Sequence, residues 1–190
     1  MAWPVVGAVF SAVGAASGIG QSIASIAPTH RQCAIDIENN SADYTLCNLR
    51  IYTDSGSCEK PLPATLGASR SGSGLFIKTP HTARGSVGVF TYDLCKNSEH
   101  QNSGKMAVMF SNPYDFNLYA NWFAVGVFDV DKRCDYDLYR EMYYSEERGF
   151  VRGEAKCGSL TYESDVVTIR ATMSDSYTPV VTVQVCNNWS

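Results

Sequence analysis

The segment FSNPYDFNLYANWFAVGVFD, residues 110–129, joins two strand-like runs through a loop that is rich in aromatic side chains. Its large apolar residues are Tyr114, Phe116, Leu118, Tyr119, Trp122 and Phe123. Surface loops are normally polar, and an exposed apolar patch marks a binding or membrane-contact surface. Tyrosine and tryptophan also favour the interface between water and lipid. The sequence therefore predicts either a membrane-contact loop or rings that fill the core of the domain.

Short β-branched runs on both sides of this loop predict a β-rich domain. Ile35 and Ile37 alternate with Asp36 and Glu38, which is the period-two pattern of a half-buried strand. Further strands are predicted over residues 85–92, 105–111, 122–128, 166–173 and 180–185, with turns at 54–57 and 69–74. Several short strands separated by Gly, Ser, Asn and Pro clusters favour an antiparallel sandwich or barrel.

One internal segment, residues 135–144, has helical spacing instead. Its apolar and aromatic residues are Tyr136, Leu138, Tyr139, Met142 and Tyr143. An aspartate at the start of a helix caps its free N–H groups, so Asp135 or Asp137 is the expected N-cap. The sequence predicts a short helix packed against the β-domain.

The N-terminal segment, residues 1–29, contains no charged side chain. As a helix, residues 4–27 would be about 36 Å long, which is sufficient to cross a membrane. Small and polar residues form one stripe: Gly7, Ser11, Gly14, Gly18, Gln21, Ser22 and Ser25. Valine and isoleucine residues lie opposite, and the G-x-x-x-G spacing permits close helix contacts. Three interpretations remain open: a helix packed on the domain, a helix that inserts into a membrane, or a targeting sequence that lacks a basic n-region.

Composition and spacing argue against nucleic-acid binding, metal binding and catalysis. The net charge of −4 and the pI of about 5.3 do not fit a protein that binds phosphates through a basic face. The seven cysteines include no C-x-x-C pair and the three histidines are scattered, so no zinc site is expected. Asp129, Asp131, Asp135 and Asp137 lack the glycine and glutamate of an EF-hand loop. Residues 72–74 are predicted to form a flexible loop rather than a nucleophile elbow. We expect no cofactor, no metal and no enzymatic activity.

Four stretches together carry a resemblance to a known family. They are Phe110-Ser111-Asn112-Pro113-Tyr114-Asp115-Phe116-Asn117 with Tyr119, Asn121 and Trp122; Tyr139-Arg140-Glu141-Met142-Tyr143-Tyr144; Gly85-Ser86-Val87-Gly88-Val89; and Ser55-Gly56. This pattern resembles the actinoporin pore-forming cytolysins and their actinoporin-like relatives. The resemblance implies a mainly β fold, an antiparallel β-sandwich flanked by two α-helices. It divides the chain into a membrane-inserting helical segment, residues 1–29, and a lipid-binding sandwich, residues 30–190.

The resemblance also implies a function. Such proteins are secreted, soluble monomers that dock on membranes, form homo-oligomers and extend the N-terminal helix through the bilayer to build a cation-conducting pore. A phosphocholine headgroup, typically of sphingomyelin, would occupy a pocket of Ser55, Val87, Ser111, Pro113, Tyr119, Tyr139, Tyr143 and Tyr144. Aromatic faces attract a quaternary ammonium, and the hydroxyls can bind the phosphate. Tyr114, Phe116, Leu118, Trp122 and Phe123 would contact the membrane. The small-residue stripe of residues 7–25 would pack against neighbouring helices or line the pore.

Several features depart from the family pattern. Leu118 replaces a second tryptophan of the loop, and Arg152-Gly153-Glu154 replaces an Arg-Gly-Asp tripeptide. The sea-anemone members lack cysteine, are typically basic and carry acidic residues on the inserting helix, whereas this chain differs in all three respects. These differences predict an actinoporin-like protein from another animal lineage. The competing hypothesis is a glycan- or lipid-binding module without pore formation, which would have no need of the N-terminal segment.

Overall fold

The computed structural model describes residues 31–99, 101–145 and 148–188. The strands are β1 (Gln32–Asn40), β2 (Tyr44–Ser55), β3 (Ser57–Lys60), β4 (Arg70–Ile77), β5 (Ser86–Lys96), β6 (Asn102–Asn112), β7 (Trp122–Phe128), β8 (Phe150–Glu154), β9 (Leu160–Glu163), β10 (Val167–Met173) and β11 (Val180–Asn187). One α-helix, α1 (Tyr136–Tyr144), precedes β8, and a 3-10 turn (Ala155–Cys157) follows it. The predictions for residues 1–29, including the first helix and its small-residue stripe, lie outside the described residues.

The strands form two sheets that pack face to face as a β-sandwich. The first sheet has six strands in the order β3-β4-β1-β11-β10-β9, and the second has five in the order β2-β5-β6-β7-β8. Neighbouring strands are antiparallel, except that β1 and β11 run parallel from the pair Ala34 and Val180. The predicted sandwich is therefore confirmed, with one parallel pairing in its six-stranded sheet.

The main core lies between the two sheets. Ile35 and Ile37 of β1 are fully buried there, and the rings of Phe76 and Phe110 meet across the interface at a centroid distance of 4.6 Å. Removal of this apolar surface from water is the main force that holds the two layers together. Asp36 is also buried, with 2% of its surface exposed, so β1 is not the half-buried strand that its alternation predicted. It is a central strand, paired with β4 on one side and β11 on the other.

The predicted strand at 122–128 coincides with β7, whereas the predicted turn at 69–74 is wrong. Most of that segment belongs to β4, and Gly72-Ser73-Gly74 is strand rather than flexible loop. The glycines have a packing role, because a Cβ at Gly72 would collide with the ring of Pro63. Small residues let the segment around Pro63 lie directly on the strand, which composition alone cannot reveal.

Helix α1 covers the outer face of the five-stranded sheet. Asp135 is its N-cap: its Oδ1 accepts hydrogen bonds from the backbone N–H groups of Asp137 and Leu138 at 3.1 and 3.2 Å. Leu138 and Met142 pack on a second apolar cluster of that face, which includes Val89, Met109, Ala124 and Phe150. The predicted helix and its cap are confirmed. Within the described ranges, no helix has the length and apolar character required to span a bilayer.

Candidate functional site

Strand register aligns part of the predicted pocket in a single row. Ser55 of β2 lies opposite Val87 of β5, Val87 opposite Ser111 of β6, and Ser111 opposite Trp122 of β7. Directly opposed residues of antiparallel strands point to the same face of a sheet. Val87 belongs to the apolar cluster beneath α1, so the row lies on the helix-covered face. Three stretches that are distant in the sequence therefore meet at one end of the sandwich.

An open cleft of about 550 Å³ begins at the Ser55 end of this row. Its lining residues are Asp54, Ser55, Ala83, Arg84, Gly85, Pro113, Tyr114, Asp115 and Tyr119. Gly56, with a φ of +90°, allows the tight turn between β2 and β3 that follows Ser55. The Ser55 hydroxyl donates a hydrogen bond to the Gly85 carbonyl at 3.0 Å, which ties the two walls of the cleft together. The volume suits a small polar headgroup.

A compact turn presents the aromatic loop beside the cleft. Asp115 Oδ1 accepts hydrogen bonds from the backbone N–H groups of Asn117 and Leu118 at 3.0 and 3.3 Å. The Tyr119 N–H donates to the Asp115 carbonyl at 3.0 Å. This geometry satisfies the backbone locally and leaves Leu118 and Tyr119 with 73% and 62% of their surfaces exposed. The loop is therefore built to carry apolar side chains in solvent.

Three of the four tyrosines of α1 form what we call the tyrosine cluster: Tyr139, Tyr143 and Tyr144. The Tyr143 ring lies 5.8 Å from that of Tyr139 and 4.6 Å from that of Tyr144, measured between centroids. The Trp122 indole approaches Tyr143 edge-on at 6.5 Å. Burial raises the pKa of Tyr143, as does its neighbour Tyr144, while the Ser111 hydroxyl and the Arg152 charge act in the opposite direction. Solvent exposure increases across the cluster, from the buried Tyr139 to the exposed Tyr144.

Cations already lie over several rings at this end of the molecule. Lys78 Nζ is 5.3 Å from the centroid of Tyr114, and the Arg152 guanidinium carbon is 5.3 Å from that of Trp122. In the part of the chain that the structure describes, no lysine or arginine lies over the Tyr119 ring. That ring is exposed, borders the cleft and is available for a ligand cation.

The structure divides the predicted pocket residues between the cleft and its surroundings. Ser55, Pro113 and Tyr119 line the cleft itself. Val87, Ser111 and the tyrosine cluster lie beside it, on the row and under or on α1. Sequence reasoning missed the charged walls, Asp54, Arg84 and Asp115. Asp115 belongs to the quoted motif, and Asp54 and Arg84 each precede a motif residue, so their positions in the chain were the available signal.

The predicted membrane-contact residues also separate into surface and interior. Tyr114 and Leu118 are exposed, and Phe116 packs on Tyr177 at a centroid distance of 4.9 Å. Trp122 is half-buried, whereas Phe123 is completely buried in the main core. The assignment of Phe123 to the membrane-contact surface is therefore wrong for this conformation. Successive residues of a strand point to opposite faces, so Phe123 must point inward where Trp122 points outward.

Of the four aspartates weighed as calcium ligands, Asp135 caps α1 with its side chain. The described residues contain no group of three or more His, Cys, Asp or Glu side chains placed to hold a metal ion. All seven cysteines are described and none forms a disulfide.

Comparisons with known proteins agree with this architecture. The family described as "Sea anemone cytotoxic protein" matches residues 5–185. Bryoporin of Physcomitrium patens is 34% identical over 122 residues, which are 64% of this chain and 65% of bryoporin. DELTA-actitoxin-Aas1a of Anthopleura asiatica is 35% identical over 133 residues, 67% of this chain and 57% of the toxin. The alignments thus span less than two thirds of each relative, and a moss protein stands among them beside a sea-anemone toxin.

A solved structure supports the fold independently. The lipid binding protein Nakanori superposes with a TM-score of 0.70 over 90% of this chain and 78% of its own, at 11% identity. At that identity the likeness concerns the fold alone. The compared proteins are described as toxins or as lipid-binding rather than as enzymes. With the family match extending over nearly the whole chain, this protein belongs to the sea anemone cytotoxic protein family, the actinoporins and their actinoporin-like relatives.

Proposed function

We propose that this protein is a secreted pore-forming cytolysin. It binds phosphocholine-headgroup lipids, including sphingomyelin, at the cleft and the aromatic loop. It then forms homo-oligomers and inserts residues 1–29 to create an ion-conducting pore. The observation that carries the proposal is the contiguity of the cleft, the tyrosine cluster and the exposed loop on one end of a sandwich of this family.

Exposed apolar side chains support membrane docking at this end. Tyr114, Leu118 and Tyr119 come from the loop, Tyr144 comes from α1, and Tyr177 packs on Phe116 of the loop; all five are among the exposed large apolar residues. An apolar patch of this kind is unfavourable in water and favourable at a lipid surface. Tyrosine suits that surface because its ring contacts acyl chains while its hydroxyl remains hydrated.

The cleft supplies the chemistry for a zwitterionic headgroup. The face of Tyr119 attracts a quaternary ammonium, and the Arg84 guanidinium is suited to the phosphate. A second recess of about 500 Å³ borders Trp122 and contains Arg152, Glu154 and Lys156, so cationic groups continue around the same end. Both ends of a phosphocholine group therefore have complementary partners within one surface.

Pore formation rests on the sequence of the N-terminal segment. Residues 1–29 have the length, apolar face and small-residue stripe that an inserting helix requires. The test is to compare the full chain with a variant lacking residues 1–29 on liposomes with and without sphingomyelin. Vesicle sedimentation measures docking, and release of an encapsulated dye measures permeabilisation.

The two readouts separate the parts of the proposal. We expect the truncated protein to bind vesicles as the full chain does, which also demonstrates that it is folded, and to release no dye. Equal leakage from both proteins would refute insertion of residues 1–29. Binding without leakage by the full chain would favour the lipid- or glycan-binding module over the cytolysin.

A further inference from the structure

We propose that the cleft between Asp54, Arg84 and Asp115 selects headgroups with a primary ammonium, and that it binds phosphoethanolamine more tightly than phosphocholine. This inference rests on the function proposed above, because it names the headgroup preferred at the same site. It depends on the charged walls of the cleft rather than on its tyrosines.

Two acidic residues contribute to the lining of the cleft. Asp54 and Asp115 both line the cleft, from its β2 wall and its loop wall respectively. Among the described residues, neither forms an ion pair. Asp115 Oδ1 is used by the loop backbone, which fixes the carboxylate in place and leaves Oδ2 for a ligand. The negative charge of Asp54 also reaches Tyr139, where it adds to burial in raising the pKa of the phenol.

These carboxylates discriminate between ammonium groups. A primary ammonium has three N–H donors and forms charge-assisted hydrogen bonds with carboxylate oxygens. A trimethylated nitrogen has no N–H and instead needs aromatic faces around it. Each methyl group added to the nitrogen therefore removes one hydrogen bond that Asp54 or Asp115 could accept.

The cleft offers few aromatic faces in return. Tyr119 and Tyr114 are the tyrosines in its lining, and Lys78 already lies over Tyr114. Tyr139 is buried and Tyr143 packs against Trp122, and neither lines the cleft. Because few aromatic faces surround the cleft, a quaternary ammonium gains little from cation–π contacts there. The two carboxylates can still accept hydrogen bonds from a primary ammonium.

Arg84 completes the match at the other end of the headgroup. It is exposed at the cleft and, in the described part of the chain, has no ion-pair partner. A guanidinium binds a phosphate through two parallel hydrogen bonds. The cleft thus has one cation for the phosphate and two carboxylates that can accept hydrogen bonds from a primary ammonium.

The test is a methylation series on otherwise identical vesicles. Four vesicle preparations each contain about 30 mol% of one phospholipid in a background of uncharged digalactosyl lipid. The headgroup nitrogen of that phospholipid carries zero, one, two or three methyl groups. Background vesicles alone provide the baseline. Sedimentation measures partitioning, and soluble phosphoethanolamine and phosphocholine serve as competitors that separate the headgroup chemistry from the membrane surface.

Matched variants assign the selectivity to residues. D54N and D115N keep the shape of the side chain, and asparagine retains the Oδ1 acceptor that the loop needs. D129N removes the same charge at the opposite end of β7 and is the control. R84Q tests the phosphate anchor. Thermal unfolding of each variant confirms that the fold is retained.

We expect partitioning to fall with each added methyl group, by about fivefold over the series, as suits exposed charge-assisted contacts. The D54N/D115N double variant should lose this slope, R84Q should weaken all four preparations equally, and D129N should match the parent. Binding that is equal across the series, or stronger to phosphocholine, overturns the inference and leaves the proposed function standing. Binding of no preparation above background overturns both.

Discussion

Replacement of Tyr119 by alanine is the sharpest test of the proposed site. The Tyr119 ring is 62% exposed, borders the cleft and has no cation over it among the described residues, so the fold loses little when it is removed. We expect a change of less than about 0.5 kcal/mol in the free energy of unfolding, as for surface substitutions in general. Any loss of membrane binding then reports on the ligand rather than on folding.

The size of the binding loss follows from the change in the ring's environment. In the free protein Tyr119 is in water, and beneath a membrane surface it would be desolvated against a headgroup cation. A cation–π contact contributes about 1–2 kcal/mol in that setting. Vesicle partitioning of Tyr119→Ala should therefore fall by about 5- to 30-fold.

The matched control is Tyr136→Ala. Tyr136 is also exposed, at 47%, and stands at the first turn of α1, where it packs on Tyr52 rather than on the cleft. Sedimentation with phosphocholine vesicles and a urea unfolding curve should be measured for both variants. Unchanged binding by Tyr119→Ala, or an equal loss in Tyr136→Ala, would refute the assignment of Tyr119 to the headgroup site.

Three further predictions concern the core, the N-terminal segment and the buried thiol. Phe123→Ala should lower the free energy of unfolding by about 3–5 kcal/mol in urea titrations, because this ring is fully buried. If the variant were as stable as the parent but bound membranes less well, Phe123 would have to be assigned to the membrane-contact surface. Val13→Asp should abolish dye release, since an aspartate on the lipid-facing side costs about 2.5–3.5 kcal/mol, while Ser22→Asp on the polar stripe should retain it; equal leakage would exclude this helix orientation. Burial raises the pKa of Cys33, so the unfolded state loses that proton first and the free energy of unfolding should fall as pH rises above about 8.5; a Cys33→Ala variant with the same slope in alkaline urea titrations would assign the effect elsewhere.

The period-two patterns of the strands were sufficient to predict an antiparallel sandwich or barrel, and the resemblance to the actinoporin-like family selected the sandwich. The aspartate cap was sufficient to predict where the helix begins. The strand at 122–128 and the N-cap Asp135 appear in the structure as predicted. The prediction from turn-like composition was wrong where packing between distant segments requires small residues in a strand. Gly72 and its neighbours have turn-like composition, yet they lie in β4 because Pro63 packs directly on them.

For the candidate site, the motif identified the neighbourhood but not the boundary between surface and core. Trp122 and Phe123 are adjacent aromatic residues of one motif, and only the pleat of β7 decides that one faces outward and the other inward. The grouping of the charged residues into one cleft could not be predicted from their positions beside the motifs. Arg84 and Asp115 lie 31 residues apart in the chain and meet only because β5 and β6 pair in register.

The distribution of charge gives this acidic protein an orientation at a membrane. Its net charge is −4, yet cationic side chains gather around the aromatic end: Arg31, Lys78, Arg84 and Arg152. Four carboxylates line a larger cleft at the other end of β7: Asp129, Asp131, Glu163 and Asp165. The aromatic end also carries Asp54, Asp115 and Glu154, so it presents charges of both signs rather than a uniformly basic face. Charges of both signs at one end favour zwitterionic membranes, because the cleft then has groups for both charges of the headgroup.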